Sequence, residues 1–131
     1  MLVKIKNPKI FTCDKKKPYH WAKLPKFIKI METNILDLSN ANLSSANFKR
    51  ACLRDANLKN AKLDFANFSE ADLRCADFTG ADLTGADFSG TKLWQADFSG
   101  ANLDGAYLSS AYSIGAKFNQ TDLTGAKFQV K

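Results

Sequence analysis

From Leu36 onward the apolar positions recur at one interval that belongs to neither a helix nor a flat strand. Broken at Leu36, the chain reads as nineteen consecutive pentads, from LDLSN, ANLSS and ANFKR to AKFQV, and the third letter is Leu or Phe in eighteen of them. A helical stripe returns every 3.6 residues and a strand alternates every second residue, so neither keeps each fifth side chain on one inner surface. A chain that turns a corner after each short extended piece does. The pattern therefore predicts an all-β solenoid, with the first letter small, the third letter inside and the fourth and fifth letters at the corner.

Words such as ADFTG, ADLTG and ADFSG (residues 76–90) resemble the pentapeptide-repeat family, whose pattern is A(D/N)LXX. The likeness covers about residues 36–130. It implies a right-handed, quadrilateral parallel β-helix with four pentapeptides per coil, which here makes nearly five coils. The chain's own residues favour four per turn. At a spacing of twenty, Leu43, Leu63, Leu83, Leu103 and Leu123 form an all-leucine file, faced by Leu53, Leu73 and Leu93. The other two files read Leu38, Leu58, Phe78, Phe98, Phe118 and Phe48, Phe68, Phe88, Leu108, Phe128. A spacing of fifteen would mix Leu with Phe. With Leu facing Leu across one pair of walls in the first three coils and at least one Phe across the other pair in every coil, each layer holds a similar volume, as close packing demands.

Each letter then has a mechanical task. The central Leu or Phe is the expected core, worth roughly 1.5 to 3 kcal/mol apiece on full burial. Ala lies where the walls approach, and Asp or Asn between them hydrogen-bonds to backbone near the corner. Gly in the fifth slot, as at Gly80, Gly85 and Gly90, suits the positive φ of a type II turn. Earlier coils place Asn40, Arg50, Asp55, Asn60, Phe65 and Cys75 there, which predicts other turn types at some corners. AYSIG is the one broken word. Ser113 takes a core slot and either leaves a small void or shifts the chain so that Ile114 turns inward.

A stacked fold needs covers at its ends. Residues 1–35 are read as a separate N-terminal capping segment before the β-helix of residues 36–131. Trp21, Leu24, Phe27, Ile28 and Met31 form its apolar side, with Pro25 interrupting any long helix. The far end, around Leu123 and Phe128, is expected to be open and suited to end-to-end homodimerisation, as in some proteins of the resembled family.

Charge divides the chain along the same boundary. Residues 1–30 hold nine lysines against Asp14 alone, a net +8, whereas residues 31–131 carry a net −2. The first segment therefore doubles as a basic arm for nucleic acid or an anionic membrane. Three cysteines, Cys13, Cys52 and Cys75, show neither metal-ligand nor CxxC spacing, which argues against a disulfide framework and for a reducing, cytoplasmic location. No apolar run is long enough for a membrane span or a signal segment.

Catalytic constellations are scarce. His20 is the only histidine, with Cys13 its one nearby soft ligand, too few for zinc. GADLTGAD spaces two glycines like a phosphate loop but lacks the Lys and Ser that must follow. The aspartates lie on flat walls instead of in a cleft. No enzyme activity, cofactor, metal or small-molecule substrate is expected.

Binding remains, and the period separates the walls. The all-leucine wall shows Asp64, Asp82, Asp104 and Asp122 against Lys62, a net −3. The wall of Leu53, Leu73 and Leu93 carries an outward file of Arg54, Arg74 and Trp94, continued by Ile114, with Asp72, Lys92 and Tyr112 beside it. Arg and Trp are enriched where binding energy concentrates, and an outward Trp serves no core. Arg54, Arg74, Lys92, Trp94 and Tyr112 are thus the candidate contact for an unidentified protein partner. The resemblance adds an alternative, DNA mimicry directed at a type II topoisomerase such as DNA gyrase. Family abundance points to a bacterial, specifically cyanobacterial, source.

Overall fold

A computed structural model describes residues 36–128. The expected cap and basic arm, residues 1–35 with Cys13, His20 and Trp21, lie outside the described residues. Within them the second letter of each pentad pairs in parallel with the residue twenty further on, from Asp37 with Asn57 to Tyr107 with Lys127. Four pentads therefore make one coil. We number the walls in chain order by their central residues: Leu38 begins the first, Leu43 the second, Phe48 the third and Leu53 the fourth.

A backbone ladder ties each coil to the next. In a typical repeat Leu43 N–H donates to the Lys62 carbonyl at 2.7 Å, Ser45 N–H to the Asp64 carbonyl at 2.8 Å, and Lys62 N–H to the Ala41 carbonyl at 2.8 Å. A corner every five residues leaves only a short extended piece between turns. Each wall consequently pairs through isolated single-residue bridges in place of longer strands.

All corners described are alike, which corrects the expectation of several turn types. From Ala41 to Ala126, the first letter of each pentad donates its N–H to the carbonyl of the preceding central residue at 2.9–3.3 Å. The fifth letter has positive φ throughout: 64–74° at seven glycines and 55–60° at eleven other residues, including Arg50, Phe65 and Cys75. Positive φ at the third turn position alone is the type II signature. Left-handed backbone costs a side-chain-bearing residue roughly 1 to 2 kcal/mol, but a turn of another shape would swing the next wall off its neighbours. One buried Leu or Phe offsets the strain at one corner.

Second-letter Asp and Asn stiffen these corners. Twelve of them accept the backbone N–H two residues on, at 2.8–3.4 Å. The Ser99 hydroxyl, seconded by its backbone N–H, holds the Asp97 carboxyl below its usual range, and slight burial opposes them weakly. Thr124 does the same for Asp122.

Inside, the expected core is buried from Leu43 to Leu108, and Leu36 and Leu38 join it. Phenylalanines stack along the axis: Phe48 on Phe68 and Phe68 on Phe88 on the third wall, Phe78 on Phe98 and Phe98 on Phe118 on the first, with centroids 4.9–5.2 Å apart. Across the axis, Phe78 and Phe88 meet edge to face at 5.7 Å. Both arrangements suit the aromatic quadrupole. Thr91 replaces Ala without leaving its hydroxyl unsatisfied, since it donates to the Phe88 carbonyl at 2.7 Å. Phe118 and Leu123, also expected in the core, are only half-buried because they belong to the last described coil. Ser113 keeps its register: Ala116 N–H still donates to its carbonyl, and Ile114 points outward, 77% exposed. The inward shift of Ile114 does not occur, because the turn bond and positive φ at Gly115 preserve the corner.

Leu83→Lys, which buries an unpaired charge in mid-stack, is expected to abolish cooperative urea unfolding. Asp82→Lys, at a second-letter position that Lys62 and Lys92 also occupy, should cost only about 1 kcal/mol. The φ penalty is common to Gly85→Ala and Gly105→Ala, but a Cβ at Gly85 meets the Phe65 ring at 2.6 Å whereas one at Gly105 meets nothing within 4 Å. Gly85→Ala is therefore expected to be the more destabilising by roughly 0.5 to 1.5 kcal/mol, the cost of forcing a ring off its rotamer, and Phe65→Ala should erase the difference in thermal melts. A carboxyl with a depressed folded-state pKa stabilises above its unfolded value of about 4 and loses that contribution as pH falls through the folded value. Asp97→Asn keeps the turn acceptor but not the titration. Its urea midpoint should fall less between pH 7 and pH 3 than that of the wild type.

Candidate protein-binding site

The fourth letter distinguishes one wall from the other three. On the first three walls it is mostly Ser or Thr, as at Ser39, Thr79, Ser44, Thr84, Ser69 and Ser89, whose backbone N–H bonds to the Asp or Asn two residues earlier. On the fourth wall it is Arg54, Arg74, Trp94 and Ile114. The twenty-residue register stacks these side chains in one column, about 4.8 Å per coil. The next letters around the corner are small by comparison: Cys75, Gln95 and Gly115. The two files line a groove of about 460 Å³ that also includes Arg54.

Asp72 organises the polar half of this wall. It is buried, 7% exposed, and its carboxylate accepts Arg74 Nε at 2.8 Å and a second guanidinium nitrogen at 2.5 Å, a bidentate pair. Burial pushes the Asp72 carboxyl up, but the Arg74 hydrogen bonds and the charges of Arg74 and Arg54 together outweigh it and hold the group below its usual range. The same hydrogen bonds raise the Arg74 guanidinium further. So fixed, Arg74 lies 5.8 Å from the centre of the Trp94 ring, near the outer limit of a cation–π contact. The indole is nevertheless 45% exposed. Arg54 is exposed and has no ion-pair partner among the described residues. The Cys75 thiol, free and exposed, lies 3.5 Å from Gln95 Oε1.

The fold brings Arg54, Arg74 and Trp94 together and separates Lys92 and Tyr112 from the groove. Those two pair with each other through a parallel bridge and are exposed on the same wall. Cys75, Gln95 and Gly115 line the groove without having been marked by sequence reasoning, which weighed the fifth letter only as a turn residue; their spacing of twenty was the available signal. On the second wall the acidic file is occupied locally. Asp64 accepts the Ser44 hydroxyl at 2.6 Å and Asp82 the Thr84 hydroxyl at 2.7 Å. At the last described coil Leu123 is half-buried and Phe128 exposed.

Among the described residues no group of three His, Cys, Asp or Glu is placed to hold a metal ion, and no helix is long and apolar enough to cross a membrane.

Comparison with solved structures finds a pentapeptide repeat protein, Rfr23, from the cyanobacterium Cyanothece 51142. It is 29% identical over 98% of this chain and 81% of that one, with a TM-score of 0.58. A pentapeptide repeat protein of the Arabidopsis thaliana thylakoid lumen, AT2G44920, is 38% identical over 69% of this chain and 63% of that one, TM-score 0.34. QnrB1, a plasmid-mediated fluoroquinolone resistance protein, is 27% identical over 69% and 59%, TM-score 0.33. The last two scores are too low to bear on architecture. No curated protein matches the chain. The sequence profile described as Pentapeptide repeats matches in eight copies, over residues 36–60, 51–90, 81–112 and 95–129. With those copies laid over the same coils that the backbone ladder defines, this chain belongs to the pentapeptide repeat family.

Proposed function

We propose that this protein is a non-catalytic protein-interaction module whose contact surface is the fourth wall, from Arg54 through Arg74 and Trp94 to Ile114, with Lys92 and Tyr112 beside it. One observation carries the reading. An indole and an isoleucine stand exposed in a column with two arginines, at fourth-letter positions where the other walls place mostly small hydroxyl residues. Large apolar side chains contribute nothing to a solvated corner, whereas Trp and Arg supply much of the energy where a partner excludes water. The non-catalytic part of the proposal is supported by the use of second-letter carboxylates in turns, which leaves them on the walls as turn acceptors.

DNA mimicry fits this chain less well. A mimic needs a dense file of free negative charge, and residues 31–131 carry a net charge of only −2. Asp64 and Asp82 on the acidic wall are hydrogen-bonded to neighbouring hydroxyls.

The test is photo-crosslinking in lysate of the native host, comparing wild type with an Arg54→Glu, Trp94→Ala double variant. Arg54 and Trp94 are exposed, so the variant should melt within a few degrees of wild type. A specific crosslinked partner, lost from the folded double variant, is the expected result. Identical crosslinked proteins for both would refute the wall as the contact.

A further inference from the structure

The groove on the fourth wall has a direction. Arg54 stands in the first described coil and Arg74 in the second, with Trp94 in the third and Ile114 in the fourth. Its character therefore runs from cationic to apolar along the solenoid axis. Two coils separate Arg54 from Trp94, about 10 Å, which is the length of roughly three residues of extended peptide. Building on the interaction reading above, we infer that the groove takes a short extended acidic segment of a partner protein, with a carboxylate at the Arg54 end and an apolar side chain on Trp94 and Ile114.

Charge complementarity selects the carboxylate. Asp72 already occupies Arg74 through both of its oxygens, which fixes that guanidinium in place beside the indole. Arg54 has no such partner among the described residues and stands exposed at the groove's edge, while exposed Asp55 lies outside the lining. One unpaired and one clamped cation, with a single engaged carboxylate between them, suit one or two acidic side chains. They do not suit the evenly spaced charge of a nucleic-acid backbone, which wants a cation for each phosphate. Ile114, 77% exposed, likewise has no use for a phosphate but offers an aliphatic seat for Leu, Ile or Phe. Gly115 packs closely beside Gln95 in the lining, where a Cβ would meet Gln95 Cγ at 3.3 Å.

The experiment is selection from a displayed library of random eight-residue peptides on the full chain. The enriched peptides are then synthesised and titrated into a Trp21→Phe variant, in which Trp94 is the sole tryptophan. Enriched sequences are expected to carry Asp or Glu two to four residues from Leu, Ile, Phe or Trp. They should alter Trp94 emission, weaken as salt is raised, and bind Arg54→Glu at least ten-fold more weakly while that variant melts like wild type. Enrichment of peptides without carboxylates, no enrichment above the bare support, equal binding by Arg54→Glu, or tighter binding of a uridine oligonucleotide at Trp94 would each overturn the inference. If any of these occurs while crosslinking still depends on Arg54 and Trp94, the wall is an interface of different chemistry. If the crosslinking dependence is absent too, the interaction reading falls with it.

Discussion

The corner governs this molecule. Every fifth residue adopts left-handed backbone so that one turn hydrogen bond can close and send the chain along the next wall. The cost is real at Arg50, Phe65 and Cys75, where a side chain occupies a conformation that glycine takes freely. It is borne because one misshapen corner would displace the central side chains of the coils it feeds. The strain is local and modest, whereas the registry it preserves is shared by the ladder bonds and aromatic stacks of the adjoining coils.

From that constraint the chemistry of each position follows. Asp and Asn recur before the central residue because an acceptor there captures the N–H at the corner, and the exchange of one for the other between coils shows that acceptance matters more than charge. Central residues can be Leu or Phe because the file they join sets their size, as the parallel Phe stacks show. The fourth letter is the freest of the five. It has no core to fill, and most walls use it for a small hydroxyl residue. A wall that puts Arg, Arg, Trp and Ile there has spent its freedom on something other than the fold.

Asp72 shows how such a wall is prepared. A buried carboxylate clamps Arg74 with two hydrogen bonds, so the guanidinium beside Trp94 is positioned before any partner arrives. Preorganisation of this kind reduces the ordering cost of binding. Arg54, without a clamp, supplies charge that can still be matched.

The repeat, the twenty-residue coil and the identity of the inward side chains were legible in the sequence, because a five-residue period combined with Leu and Phe sorting every twenty residues admits few geometries. The outward column of Arg54, Arg74 and Trp94 followed from the same arithmetic. Other features needed the tertiary structure. That Phe65 and Cys75 adopt the glycine-like corner is decided by the coils stacked around them, against their local preference. That Ile114 stays outside is decided by the bond from Ala116 to Ser113. The clamp on Arg74 and the presence of Cys75, Gln95 and Gly115 in the groove depend on distances between side chains, which spacing along the chain does not encode. Periodicity determines which residues share a wall; only packing in three dimensions decides which of them touch.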